Sequence, residues 1–534
     1  MTKLTQSLIL APEVPLDAPM PTVGSLLDQH ASVAPNRLAM RFEGRDLTYA
    51  ELRAAVAQAA NALGTEGVGE GSRVCFVGKN SAAYFILLYA CARVGAVMVP
   101  IGWRLAPAEM AYMVADAGAA TLFTDEFSSG TAHGLVGMVS QNLRVIETGG
   151  AAFEAWLAKA PASLTPPRDD ADRPFIQLYT SGTTGKPKGV VLTPRNFFGM
   201  RLRCRAAGVD WDKWSGDDVA LVAMPIAHVG GSGFGLMTLF HGATALIERE
   251  FTPEGLLAAI REQGVSKFFI VPTALQIVIR APGARETDWS RIKHILYGAS
   301  PMPLPVLREA MEVIGAGMCQ QYGMTETTGT IVALPPADHD PAGNERMKAA
   351  GKPLPGVDLK IVDEDGNVVP IGTVGEIVVR SDANTQGYWN LPEATAATID
   401  AEGWLRTGDA ARLDTDGYVY ICDRLKDMIL SGGENVYAAE VESVLYAHPD
   451  IAEAAVIGVP DGKWGEAVKA IIVVREGQMP DPAAIIAWSR ERLAGFKVPK
   501  SIDLVPALPK NANGKILKHE LRAPFWEGRE RAVN

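Results

Sequence analysis

Cysteine is scarce in this chain: 534 residues hold five, at Cys75, Cys91, Cys204, Cys319 and Cys422. None forms a Cys-x-x-Cys pair, and no two of the eight histidines sit at the spacing of a zinc site. A protein-built zinc centre or a disulfide scaffold is therefore not expected, and sparse thiols suit a reducing compartment. A positive charge excess is missing too. Fifty Lys and Arg face 61 Asp and Glu, a net charge of −11, so no overall field favours nucleic acid or an anionic membrane. Nor is there a long apolar run. The best, Ala82 to Ile101, is broken by Arg93 and Pro100, short of the ~18 uninterrupted residues of a membrane helix. Met1 to Leu10 carries one Lys and a short Leu8-Ile9-Leu10 run, too little for a signal peptide. The expectation is a cytoplasmic protein with no membrane span and no nucleic-acid partner.

What the chain does have is apolar material, 48% of its residues, and length for several units of ~150 residues each. Strand-length apolar runs alternate with helical patterns. Arg73–Val77, Lys267–Val271, Ile292–Tyr297 and Met318–Tyr322 read as strands, Ala82–Val94 as a helix, and another helix starts at Thr273. Such interleaving implies parallel sheets with helices on both faces, and ligands at the carboxyl ends of the strands. From Leu359 the texture changes. Leu359–Val362, Val368-Val369 and Glu376–Arg380, with Asp365-Gly366 as a turn, read as an antiparallel meander, joined later by Tyr418–Cys422. A compact α+β pattern follows: a helix from Ala439, strands at Ala454–Ile457 and Lys469–Val474, and a helix at Pro482–Leu493. The fold class expected is α/β. A large N-terminal domain of parallel-type sheets plus a small β-meander or barrel (1–422) precedes a hinge (423–427) and a small mobile α+β C-terminal domain (428–534).

One segment carries chemistry on its face. Thr180-Ser181-Gly182-Thr183-Thr184-Gly185-Lys186 lies between the apolar runs Phe175–Tyr179 and Val190–Leu192. Small residues let backbone N–H groups approach phosphate oxygens, hydroxyls add donors, and Lys186 adds charge. A merely flexible turn explains neither the four hydroxyls nor the two lysines, Lys186 and Lys188, that fall within Tyr179–Gly189. It is not a Walker A loop, because Thr180 stands where that pattern needs Gly and Pro187 where it needs Ser or Thr.

The loop resembles the signature of the adenylate-forming superfamily, which contains acyl-CoA synthetases, peptide-synthetase adenylation domains and luciferases. Seven further segments recur collinearly over nearly the whole chain: Leu47-Thr48-Tyr49-Ala50-Glu51-Leu52, Met224-Pro225-Ile226-Ala227-His228, Tyr297-Gly298-Ala299-Ser300, Gln321-Tyr322-Gly323-Met324-Thr325-Glu326, Gly403-Trp404-Leu405-Arg406-Thr407-Gly408-Asp409, Asp423-Arg424-Leu425-Lys426-Asp427, and Pro509-Lys510-Asn511-Ala512-Asn513-Gly514-Lys515.

The resemblance implies a role for each residue, beside a blander alternative. Gly298-Ala299-Ser300, with Gln321, Tyr322 and Gly323, would form the nucleotide slot, where small residues let a flat adenine lie on backbone; a plain strand-end turn is the alternative. Thr325 would contact the α-phosphate and Glu326 the Mg²⁺, or the pair would simply open a helix. Asp409 would hold the ribose hydroxyls. Arg424 would contact the nucleotide, or make a surface ion pair. Lys515 would be the catalytic lysine on the mobile domain, a point charge that meets developing phosphoryl charge. Lys426 would be the pivot, and Ser431-Gly432-Gly433 would line the tunnel for coenzyme A. His228 would gate the acyl pocket, or be a structural histidine. A general-base role suits it less, because a carboxylate nucleophile is already ionised.

Around His228, Gly230–Gly235 holds four glycines and a serine. Facing the acyl site, it would leave room for a bulky acid, with Gly230, Gly231, Phe234, Tyr297, Gly323 and Ile331 as lining. The competing explanation is close packing of a helix on the sheet. No Gly-x-Ser-x-Gly supports a hydrolase at Ser232 or Ser300, and no acidic residue lies between Ala223 and Ile247 to hold an amino acid's amine. Glu326 and Lys515 argue against a non-catalytic acyl-binding relative. The reading is a stand-alone AMP-forming acyl-CoA ligase using ATP, Mg²⁺ and coenzyme A, rather than an enzyme loading a carrier protein. Its substrate would be a medium- or long-chain, aryl-alkanoic or polycyclic carboxylic acid. A homodimer is left open.

Overall fold

The computed structural model describes residues 4–12, 19–163, 170–180, 186–510 and 516–527. Two large sheets carry the N-terminal part. In the seven-stranded sheet, Ile176–Thr180, Val97–Ile101, Arg73–Val77, Thr121–Thr124 and Arg144–Glu147 run parallel. Lys188–Leu192 and Gly387–Tyr388 extend one edge antiparallel. The nine-stranded sheet is parallel from Gly317–Met324 through His294–Gly298, Lys267–Ile270, Val219–Val222 and Thr244–Ile247 to Leu38–Phe42, with antiparallel strands at both ends. The alternation read from the sequence is this pattern, since parallel neighbours need helical crossovers.

Helix Ala82–Val94 shows why local signals suffice where they agree. The Ser81 side chain caps its first turn by accepting from the Tyr84 N–H, and Gly95, in the left-handed region at φ 76°, ends it. Its residues are buried from Ala83 to Arg93, and Arg93 reaches Asp28 at 3.2 Å. It is a core helix, as expected, and among the described residues no helix is long and apolar enough to cross a membrane.

The meander is a five-stranded antiparallel sheet: Leu8–Ile9, Asp358–Val362, Gly375–Arg380, Leu405–Leu413 and Val419–Arg424. Val368-Val369 is not one of its strands. It pairs only at the Val362–Val368 bridge and through a 3.0 Å bond from the Val369 N–H to the Ile361 carbonyl, because Leu8–Ile9 takes the edge of Asp358–Val362 from Lys360 onward. A separate sheet and core then form from Glu434–Val436, Ile429–Ser431, Gly465–Val474, Ile451–Asp461 and Ser501–Leu504.

Candidate active site

The seven- and nine-stranded sheets meet at strand ends. Thr180, last in its strand, donates from Oγ1 to Glu326 Oε1 at 3.3 Å. Glu326 sits in the 3-10 turn Thr325–Thr327, directly after strand Gly317–Met324. The turn is pinned: Thr327 Oγ1 accepts from the Met324 N–H at 3.0 Å, and the Glu326 carbonyl accepts from the Thr385 N–H at 2.8 Å. The Glu326 carboxylate is buried, at 5% exposure, and its Oε1 also accepts from the Tyr388 hydroxyl at 3.0 Å. Sequence reasoning missed Tyr388. The available signal was a Gly387-Tyr388-Trp389 run of bulky aromatics between polar segments.

Among the described residues no cluster of three or more His, Cys, Asp or Glu could hold a metal, and Glu326 makes no ion pair. One buried carboxylate held by neutral hydroxyls is the donor set Mg²⁺ takes when nucleotide phosphates supply the remaining oxygens. These residues fit that ion.

A second constellation joins the nine-stranded sheet to the antiparallel one. The Tyr322 hydroxyl donates to Asp409 Oδ2 at 2.7 Å, and Arg424 Nε lies 2.9 Å from Asp409 Oδ1. Asp409 is 4% exposed. Its charge raises the pKa of Arg424 further, while burial and then Asp409 push the Tyr322 phenol well above its usual value. Arg424 therefore stays charged and the Tyr322 phenol keeps its proton at neutral pH. A carboxylate has about four lone-pair directions, so Asp409 keeps acceptor capacity for two hydroxyls.

The slot residues sit where strand His294–Gly298 ends. A Cβ on Gly298 would overlap the Gln321 carbonyl, so glycine lets the two strands close up. Ala299 follows with φ 69°, a conformation that costs a residue with a Cβ. Ala299 is exposed and Ser300 partly so. Backbone strain at an exposed strand end points to use rather than packing. Gln321 is buried at 8% exposure; its Oε1 accepts from Thr330 at 2.8 Å.

The expected acyl lining is corrected in part. A Cβ on Gly231 would overlap the carbonyls of Met224 and Pro225, and one on Gly235 would overlap the Phe85 ring. Those glycines let helix Val229–Phe240 pack closely, and they leave no unfilled volume. Tyr297 and Ile331 have no exposed surface, and Phe234, at 6%, packs on Trp214 with ring centroids 6.0 Å apart. They are core side chains. Gly323 yields its space to the Gly329 carbonyl. His228 and Gly230 are partly exposed at the start of that helix. Burial lowers the His228 pKa to about 4, so its ring is neutral and suits an apolar lining.

Lys186 is exposed, its Nζ 5.7 Å from the Tyr112 ring centre. Lys426 lies in the 3-10 turn Leu425–Asp427, and burial lowers its pKa. Gly432 and Gly433, at φ 65° and 85°, form a two-residue hairpin turn after buried Ser431, and the Gly432 N–H donates to the Trp464 carbonyl at 2.7 Å. Ser181, Gly182, Thr183, Thr184, Gly185 and Lys515 lie outside the described residues.

With this geometry in hand, comparison with known proteins is informative. Residues 27–389 match the AMP-binding enzyme family, and residues 440–515 match the AMP-binding enzyme C-terminal domain. The chain is 41% identical to the fatty acid–[acyl-carrier-protein] ligase ScoC of Streptomyces coeruleorubidus, over 95% of this chain and 96% of that one. It is 39% identical to a feruloyl-CoA synthase of Amycolatopsis sp, over 94% and 99%. Among solved structures, ATP-bound MatB from Rhodopseudomonas palustris superposes with a TM-score of 0.85 at 30% identity, over 94% and 99%. The chain belongs to the AMP-binding enzyme family, in its adenylate-forming acid–CoA ligase branch, whose cofactors are ATP, Mg²⁺ and coenzyme A.

Proposed function

We propose that this enzyme converts a bulky hydrophobic carboxylic acid, an aryl-alkanoic or medium- to long-chain one, to its CoA thioester through an acyl adenylate. The observation that carries the reading is the meeting of Thr180, at the strand end that opens the hydroxyl-rich loop, with Glu326, in the turn after strand Gly317–Met324 of the other sheet. The acid's carboxylate attacks the α-phosphorus of ATP, an O–P bond forms, and pyrophosphate leaves. The CoA thiol then gives up its proton, attacks the acyl carbonyl and displaces AMP. Thr180, the loop Ser181–Lys186 and Thr325 would hold phosphate oxygens by hydrogen bonds; Glu326 would hold Mg²⁺. When bound, that ion supplies charge neutralisation for the phosphates. Asp409 and Arg424 would orient the ribose and the phosphate, and Gly298–Ser300 the base.

For the second half-reaction, residues 428–534 would turn about Lys426 within the hinge 423–427. Lys515 would leave and Ser431–Gly433 would approach the thiol. Support for a bulky acid comes from the relatives named for ferulate and fatty acids, and from the neutral His228 with no acidic residue between Ala223 and Ile247. The likeness to ScoC favours one second reading, in which the accepting thiol belongs to a carrier protein.

The test is incubation with ATP, an acid panel and either CoA or a phosphopantetheinylated carrier protein, reading AMP release and thioester. Ferulate-sized or long-chain acids with CoA should turn over best. Preference for acetate would overturn the substrate reading, and a preference for the carrier protein would overturn the acceptor.

A further inference from the structure

Glu326 hangs from a three-residue turn, and its side chain has rotamer freedom that binding a cation would have to remove. Two hydroxyls already restrain it, and both bond the same oxygen, Oε1: Thr180 at 3.3 Å and Tyr388 at 3.0 Å. Thr180 belongs to the phosphate-binding strand, but Tyr388 comes from a segment that the reaction does not otherwise use.

That segment is stitched down from several sides. Strand Gly387–Tyr388 pairs with Lys188–Leu192, Tyr388 opposite Val190. The Trp389 N–H donates to the Gly189 carbonyl at 2.7 Å, and its indole to the Asp116 carbonyl at 2.9 Å. Thr385 spans both partners, donating from its N–H to the Glu326 carbonyl at 2.8 Å and from Oγ1 to the Val191 carbonyl at 2.6 Å. The Lys188 ammonium lies 4.9 Å from the centre of the Tyr388 ring. A phenol fixed this way is a rigid donor.

We propose that Tyr388 is a positioning residue that presets the Glu326 carboxylate for the divalent cation carried by the nucleotide. Hydroxyl donors fix the orientation of Oε1 without cancelling the negative charge, which an arginine or lysine would do. Preordering of this kind raises metal affinity by sparing the carboxylate's entropy on binding. The inference rests on reading Glu326 as the metal carboxylate.

The experiment uses the full chain without acid substrate, Mn²⁺ as the probe, and Mn²⁺ electron paramagnetic resonance with ATP-binding calorimetry. Tyr388→Phe keeps the ring and removes one hydroxyl. It should weaken Mn²⁺-dependent ATP binding by about tenfold and leave ATP binding in chelator, and the thermal midpoint, unchanged. Glu326→Gln should abolish the metal dependence, and Tyr388→Phe added to it should then change nothing. Equal loss with and without Mn²⁺, no loss at all, or the same loss in the Glu326→Gln background would each overturn the role of Tyr388. Metal dependence that survives Glu326→Gln would instead overturn the reading of Glu326, which separates the two failures.

Discussion

Glu326 and the carboxylates around the 425–427 turn are satisfied in opposite ways. Glu326 accepts from two neutral hydroxyls and has no ion pair among the described residues. Glu442, by contrast, lies 2.8 Å from Lys518, and Asp427 lies 2.7 Å from Arg522, which also donates to the Lys426 carbonyl at 3.3 Å. Burial pushes the Asp427 pKa up, yet Lys518 and Arg522 together hold it below the ordinary aspartate value. A carboxylate whose charge is already matched holds structure together. One whose hydrogen bonds come from neutral hydroxyls, with no ion pair in contact, keeps its charge for an incoming cation.

The largest effect expected from this contrast is on stability. Lys518→Met would strand the negative charge of Glu442 and should destabilise the C-terminal unit by about 3–5 kcal/mol, read as a shift in the denaturant midpoint. An unchanged midpoint would make the pair an ordinary surface bridge and dissolve the comparison. Glu326→Gln should do the reverse. ATP–pyrophosphate exchange should fall about 10²- to 10³-fold while the midpoint hardly moves.

Gly231→Ala probes a third kind of site, where smallness serves packing alone. Its Cβ would meet two backbone carbonyls, so stability should drop by about 1–3 kcal/mol with the ranking of acids unchanged. A selective loss of large acids would restore the pocket role of that glycine. The smallest effect concerns His228. Its unfolded imidazole takes a proton near pH 6.5, whereas the folded one resists until about pH 4. Stability should therefore fall as pH drops through that window. His228→Gln should flatten the slope by about 1.4 kcal/mol per pH unit at most, and an unaltered slope would mean the ring is already solvated.

Much of this molecule is legible in one dimension. The parallel sheets follow from strand runs alternating with helices, and Ala82–Val94 forms with the bounds read from its apolar run. The Val368-Val369 strand fails because Leu8–Ile9, from the far end of the chain, takes the edge of Asp358–Val362 that it would have extended along, and local residue types say nothing of that competitor.

What the sequence by itself determined is the family, the order of elements and the chemistry available at each strand end, because these depend on residue type and on spacing along the chain. Glycine's meaning was decided elsewhere. At Gly298 and Gly231 alike the missing side chain admits a neighbouring backbone, yet only Gly298 leads into an exposed, strained turn. Tyr388 reaches Glu326 across 62 residues of chain, and no periodicity links positions so far apart. Tertiary structure decided which small residues make room and which hydroxyls meet a carboxylate, since both depend on what the fold brings opposite them.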